Sequence, residues 1–420
     1  MTTNKERMAR AKNLKSMCLK CLLASTTLLA SSFSFAVDLN ITAEFKPDAR
    51  NPNFNAFKNT TPNSGYCANS YLRCESDTFS LIIPGLRTDA RPIKAGQTNL
   101  RQGAMLKVPA EWRTFEVISS KGKLETAAIR ITGVGATYQI DPTAPSITGR
   151  NENVTVAHTA LWSGHDWVYA PSPCRYSGMG LTTADWYTFF WQTPTNGICG
   201  KTALFDIPDF YFRDINIMYE LKTPKPLEMP EGTYVGKLNY TIGPGGDFDF
   251  GDVLLPSDNS LTLNFTLSVK YILDVRFPPG SERLTLVPSG GWQQWLNRGR
   301  RPEKLFANQN FQIWSSGPFK MQLQCQYSVG NQCAIQNSKG HLVPVETGIT
   351  LPPGLADSNR MPVNRLPLST DPSFFIPNYY VNKGNAALHF EVSQDNVKRM
   401  IDHAGKKYSG NVTVIWDAEI

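Results

Sequence analysis

The sequence predicts an all-β protein built from two β-sandwich domains. Three observations carry that reading: strict apolar/polar alternation in several segments, Pro/Gly clusters between them, and few charged residues (18%) beside 41% hydrophobic ones. The clearest segment is 261–275. Leu261, Leu263, Phe265, Leu267, Val269, Tyr271, Leu273 and Val275 fall on one face, with Thr262, Asn264, Thr266, Ser268, Lys270 and Asp274 on the other. A period of two is a strand with one buried face. The pattern recurs over 215–221, 319–327 and 388–392. Pro278-Pro-Gly280, Pro288-Ser-Gly-Gly291 and Pro352-Pro-Gly354 supply the turns. One helix is expected after Ser393, carrying Val397, Met400, Ile401 and Ala404 and ended by Gly405.

With 420 residues, two or three cores are affordable. A domain boundary is expected at residues 246–260, where Gly243-Pro-Gly-Gly-Asp-Phe-Asp-Phe-Gly-Asp252 runs into Pro256-Ser-Asp-Asn-Ser260. Tyr234-Val-Gly236 before it and Tyr408-Ser-Gly410 near the C-terminus each lead into an alternating strand. Each domain is therefore expected to close with a similar strand.

The N-terminus reads as an export signal. Lys5, Arg7, Arg10, Lys12, Lys15 and Lys20 precede an apolar run from Cys21, and Ser34-Phe-Ala36 supplies small residues for cleavage after Ala36. The run is too short and too rich in Ser and Thr to span ~30 Å of hydrocarbon. The net charge of +7 largely belongs to this segment. Past it stand 36 basic against 34 acidic residues, which argues against a nucleic-acid partner. Six of the eight cysteines remain: Cys67, Cys74, Cys174, Cys199, Cys325 and Cys333. An even count in an exported chain reads as disulfides. Sequence alone permits 15 connectivities, and the clustering favours 67–74, 174–199 and 325–333.

The ending Tyr408-Ser-Gly-Asn-Val-Thr-Val-Ile-Trp-Asp-Ala-Glu-Ile420 resembles the final strand of bacterial chaperone–usher pilins. Ser289-Gly-Gly-Trp-Gln-Gln-Trp295 and Ile313-Trp-Ser-Ser-Gly-Pro-Phe-Lys-Met-Gln-Leu-Gln-Cys325 resemble the C-terminal half of two-domain fimbrial tip proteins of the YehA type. The resemblance covers the last 160–180 residues. Residues 37–230 match only in size, position and β-rich character. It implies a signal peptide (1–36), a receptor-binding β domain (37–245), a linker (246–260) and an incomplete immunoglobulin-like pilin domain (261–420). In that family a periplasmic chaperone fills the missing strand, and the next pilus subunit replaces it at the outer-membrane usher by donor-strand exchange. Carried onto this chain, the donor-strand groove is expected along Leu263, Phe265 and Leu267 on one side and Val412, Val414 and Trp416 on the other. The chain stops at Ile420, after what would be the sixth strand, and it begins Val37-Asp-Leu-Asn-Ile-Thr and leads straight into a large domain. It is therefore expected to accept a strand without donating one, at the fimbrial tip on the cell surface.

Enzyme signatures fail on spacing. Asn196-Gly-Ile-Cys-Gly200-Lys201-Thr202 lacks the first Gly of a phosphate loop, Gly133-Val-Gly135 lacks the third Gly of a dinucleotide fingerprint, and Arg175 stands where a nucleophile elbow around Ser177 needs Gly. No catalytic role, metal site or cofactor is expected. Asp247, Asp249 and Asp252 carry oxygen ligands suited to calcium, though a solvated interdomain turn is the simpler reading. The aromatic segment is more telling: Trp162, Trp167, Trp186 and Trp191 fall within 30 residues, stapled by the 174–199 pair. Flat rings with interspersed polar groups suit a host or surface receptor, a glycan among the candidates; core filling competes for each ring. Because Ser163, Gly164, His165 and Asp166 break any strand period, Trp162–Trp167 is expected to be exposed. The expected binding residues are Trp162, His165, Asp166, Trp167, Arg175, Tyr176, Trp186 and Tyr187. The rivals to a tip adhesin are a minor structural fimbrial subunit and an exported carbohydrate-active enzyme.

Overall fold

The computed structural model describes residues 36–418 except 52, 70–73, 75–76, 300 and 404–406, so the expected export signal lies outside the described residues. The chain is all-β, as expected. In chain order its first thirteen strands are Ala36–Phe45 (β1), Lys58–Asn59 (β2), Phe79–Ile82 (β3), Arg91–Ile93 (β4), Ala104–Leu106 (β5), Arg113–Ser119 (β6) and Leu124–Asp141 (β7), then Arg175–Thr182 (β8), Trp186–Gln192 (β9), Cys199–Lys201 (β10), Ile207–Lys222 (β11), Gly232–Thr241 (β12) and Ser260–Val269 (β13). Eleven of them form one sheet with the main path β2-β1-β13-β12-β6-β7-β11-β3, to which β9 and β8 attach along the outer half of β7.

The remaining strands are Leu273–Arg276 (β14), Val287–Pro288 (β15), Leu305–Ser315 (β16), Phe319–Cys325 (β17), Tyr327–Val329 (β18), Gln332–Asn337 (β19) and Leu342–Pro344 (β20), then Glu346–Thr350 (β21), Leu355–Asp357 (β22), Leu366–Leu368 (β23), Ser373–Pro377 (β24), Val381–Val392 (β25), Tyr408–Ser409 (β26) and Val412–Asp417 (β27). They form the sheets β14-β16-β25-β21-β23 and β22-β24-β17-β27, plus a small one around β19. The expected helix is present as Gln394–Asp402 behind Ser393, while its expected end at Ala404 and Gly405 lies outside the described residues. Among the described residues no helix is long and apolar enough to cross a membrane.

Two large hydrophobic clusters divide the chain, with a small third one around Tyr66, Cys67, Phe190 and Met218, and the division does not fall where the sequence suggested. The expected single strand 261–275 is two strands in two sheets. β13 pairs antiparallel with β12 and parallel with β1 over ten positions, and Leu261, Leu263, Phe265, Leu267 and Val269 are buried in the first core. Alternation fixed which residues point inward but not which core receives them. That partner is the segment just past the expected cleavage site: Leu39, Ile41, Ala43 and Phe45 are buried in the same cluster. The break comes at 270–272. The Tyr271 hydroxyl donates to the carbonyls of Pro226 (2.6 Å) and Met229, and its ring packs edge-on against Phe45. Ile272 already bonds the second unit, where its N–H donates to Ser316 Oγ at 2.8 Å.

The expected linker 246–260 is part of the first core as well. Phe248, Phe250 and Leu254 are buried there. The three aspartates of this stretch take arginines. Arg101 binds Asp249 (2.7 Å) and Asp252 (2.6 Å), and Arg113 binds Asp247 (2.7 Å). Burial pushes the Asp249 carboxyl up, but Arg101 and the N–H groups of Gly251 and Gly245 outweigh it and hold it below the usual range. The turn is a packed, ion-paired element of the first unit rather than a solvated spacer. The strand carrying Tyr234, β12, is internal, between β13 and β6, so the first unit does not close on it.

All three disulfides have the expected local pairing: Cys67–Cys74, Cys174–Cys199 and Cys325–Cys333.

Candidate functional site

The aromatic segment splits into a buried half and an exposed half, and the split corrects the expectation. Trp162 and Trp167 are 1% and 0% exposed, and Asp166 and Tyr187 are buried beside them. The polar residues between the two indoles form a tight turn, with Gly164 and His165 at φ 71° and 77°, and that turn folds both indoles back under it. Trp167 stacks on Trp191 (4.9 Å, 14°) and touches Phe189 (4.6 Å), Trp162 (5.1 Å) and Tyr138 (5.2 Å). The loss of strand period marked a turn; it did not mark an exposed one.

A buried hydrogen-bond chain fixes this cluster. Trp162 Nε1–H donates to the Tyr138 hydroxyl (3.0 Å), which lies 2.6 Å from His158 Nδ1, while His158 Nε2 meets the carbonyl of Thr183 at 2.8 Å. A carbonyl only accepts, so Nε2 carries the proton and Nδ1 accepts from Tyr138. Burial pushes the His158 imidazole down, which favours this neutral tautomer.

What remains exposed is a row of rings on a sheet edge. β8 pairs only with β9. Tyr176 on it is 58% exposed and stacks at 5.7 Å and 25° on Tyr169, itself 50% exposed. Tyr169 meets the exposed His165 at 4.8 Å. Arg175 is exposed and Trp186 half-buried. Of the eight expected residues, then, His165, Arg175, Tyr176 and Trp186 reach the surface, and Tyr169 and Leu181 join them unforeseen. Lys201 supports the turn from beneath. Buried, it donates from Nζ to the carbonyls of Gly164 and His165, both at 3.1 Å. Desolvation lowers its pKa to about 8, against an opposing pull from Asp166. Its residues 196–202, which imitate a phosphate loop, run instead into β10, paired antiparallel with β5.

The second unit holds a different candidate, an unfilled edge. β14 ends one sheet and β27 the other, and no described strand pairs with the outer edge of β27. Trp416 of β27 packs edge-on against Phe311 of β16 at 5.4 Å, which brings the two end strands to the same side of the sandwich. Leu273 and Val275 on β14, and Val412, Val414 and Trp416 on β27, are only half-buried. Their neighbours one strand inward (Ile313, Phe311, Met321 and Leu323) are buried. The expected groove residues Val412, Val414 and Trp416 therefore lie on this edge. Leu263, Phe265 and Leu267 do not; they are core residues of the first unit, and Leu273 and Val275 take their place.

No family model and no curated protein matches the chain. Among solved structures, it is similar to a chain of the CsuC–CsuE chaperone–tip adhesion subunit pre-assembly complex from the archaic chaperone–usher Csu pili of Acinetobacter baumannii, at 10% identity and a TM-score of 0.21, covering 91% of this chain and 99% of that one. A superposition that loose supports no conclusion about function.

Proposed function

We propose that this chain is the tip adhesin of a chaperone–usher fimbria: the first unit binds a host or surface receptor, and the second accepts a strand from its neighbour. The observation that carries the reading is the contrast between the two units' edges. Residues 36–45, which a donating subunit would keep free, form β1 and pair over ten positions within the chain's own first sheet. The second unit leaves β14 and β27 unbridged, with five half-buried apolar residues between them. An unpaired edge beside apolar residues is a template for β-augmentation and an aggregation hazard until it is filled. A periplasmic chaperone would fill it first, and the next subunit, delivered at the usher, would replace it. The chain would reach the cell surface through the periplasm and act there without catalysis or cofactor. The exposed Tyr169–Tyr176 pair, with His165, is the receptor face of this reading, while Arg175, next to Tyr176 on β8, projects from the other face of the same edge.

Expression of residues 37–420 in the periplasm with and without the cognate chaperone tests it. Soluble chain only with the chaperone, and its release by a pilin N-terminal peptide, is the expected result. A soluble monomer that ignores both would favour a self-sufficient exported protein.

A further inference from the structure

We propose that the second unit carries a membrane-docking loop, residues 289–304, whose occupant is an anionic phospholipid surface. The loop joins β15 to β16, which pair at Val287↔Phe306 and Pro288↔Leu305, so it projects from one end of the sheet. Within it lies the short helix Gln293–Arg298, closed by Gly299 at φ 63°. A helix that serves its own core turns its apolar side inward. This one does the opposite. Gln294, with Trp295 beside it, lines a cavity of about 720 Å³ above Glu346 and Glu391, so polar groups face the protein. The other side carries Trp292 and Leu296, four residues apart, with the Leu296 N–H donating to the Trp292 carbonyl at 3.0 Å. Trp292 is 38% exposed, and Leu296, at 74%, is the most exposed large apolar side chain among the described residues. Neither belongs to this unit's core cluster.

The charges around the loop select the occupant. Residues 281–304 hold Arg283, Arg298, Arg300, Arg301 and Lys304 against Glu282 and Glu303. Removing these from the 36 basic and 34 acidic residues past the export signal leaves 31 and 32, so the positive balance of the mature chain sits in this segment. Lys304 is held by Glu391 at 3.4 Å. Arg298 and Arg301 are exposed, and their guanidinium groups make no ion pair or hydrogen bond among the described residues. Trp and Leu beside unpaired arginines suit the headgroup layer, where the apolar side chains enter the acyl boundary and the guanidinium groups meet lipid phosphates. So few apolar side chains fall short of the ~800 Å² per partner of a stable protein interface, whereas a bilayer needs no matching shape. Position agrees with this occupant. The other end of the eleven-residue β16 meets the junction with the first unit, where the Ser316 N–H donates to the Ile272 carbonyl. At ~3.3 Å per residue, the loop lies about 35 Å from that junction. If the first unit leads the way out of the cell, the loop is on the end turned toward the membrane; only this purpose rests on the adhesin reading.

The test is cosedimentation of the chaperone-bound mature chain with vesicles of phosphatidylcholine, alone or with an equal part of phosphatidylglycerol. The chaperone alone is the control. The chain should bind the anionic vesicles roughly tenfold or more tightly than the neutral ones. Salt at about 1 M, where the Debye length is ~3 Å, should remove that difference. The double variants Trp292→Ser/Leu296→Ser and Arg298→Ser/Arg301→Ser should each weaken the binding by roughly tenfold or more with Tm unchanged, because all four side chains are exposed. Equal binding to both vesicles, binding to neither, or undiminished binding by either double variant overturns the proposal. A dimer in vesicle-free solution that Trp292→Ser/Leu296→Ser dissolves would assign the face to a second copy and overturn it too. The readout needs neither receptor nor fimbria, so its failure leaves the adhesin reading untouched. Vesicle binding by a chain that proves soluble and monomeric without a chaperone would do the reverse.

Discussion

Replacing Trp167 by Ala separates a core indole from a receptor contact. Trp167 has no exposed surface, and its ring lies within 4.6–5.2 Å of Phe189, Trp191, Trp162 and Tyr138. Large-to-small truncation of a buried aromatic costs about 3–5 kcal/mol, and aromatic pairs add about 0.5–1.5 kcal/mol beyond burial. Four such contacts put Trp167→Ala near the upper end, about 5 kcal/mol. One term runs the other way: the indole Nε1–H is itself buried without a partner. Trp167→Phe removes that orphan donor, worth about 1–3 kcal/mol, and keeps much of the ring, so it should cost under about 2 kcal/mol. Urea unfolding of the chaperone-bound chain, followed by near-ultraviolet circular dichroism, gives both values. For a unit of this size the larger loss corresponds to a drop of roughly 10–20 °C in Tm. A Trp167→Ala chain with unchanged stability and lost receptor binding would refute the packing reasoning and restore the indole to the surface.

Two further outcomes follow from the same site. Tyr176→Ala and Tyr169→Ala, on exposed rings, should change stability by no more than about 0.5 kcal/mol while reducing adhesion of assembled fimbriae; unfolding of either, or full adhesion by both, would move the receptor face elsewhere. Lys201 predicts a pH dependence. Its folded pKa of about 8 lies below the ordinary 10.5, so between those values the unfolded chain binds more protons and stability rises with pH, by at most about 3 kcal/mol. Below pH 8 the penalty is constant. Unfolding titrations of the native chain and Lys201→Met should diverge across pH 8–10.5, and parallel profiles would contradict the assignment.

How far the sequence could be read depended on whether each signal was local. Alternation at 261–269, the helix after Ser393 and the three cysteine pairs are properties of neighbouring residues, and the structure contains each. The failures are all long-range. Nothing local in Val37-Asp-Leu-Asn-Ile-Thr announces a parallel partner more than 220 residues away, yet that pairing takes β13 into the first unit. The Gly/Pro density of 243–260 suggested a spacer, while Phe248, Phe250 and Leu254 within it were the signal for burial. At Trp162–Trp167 the turn was legible in its polar residues, but the direction of the indoles was set by Tyr138 and Trp191 on other strands. The exposed edge could have been foreseen in part: Tyr176, Gly178 and Gly180 make β8 poor in apolar residues that a buried strand would need.

Hydrogen exchange along β27 tests strand acceptance most directly. β17 protects only the β27 amides that face it, through the register Cys325↔Val412 to Lys320↔Asp417. In the chain freshly released from its chaperone, the outward-facing amides of Val412–Trp416 should exchange at nearly unfolded rates. Adding a pilin N-terminal peptide with alternating apolar residues should protect them, and β14 with them, by orders of magnitude. Protection of every β27 amide in a monomeric chain without chaperone or peptide would contradict the account.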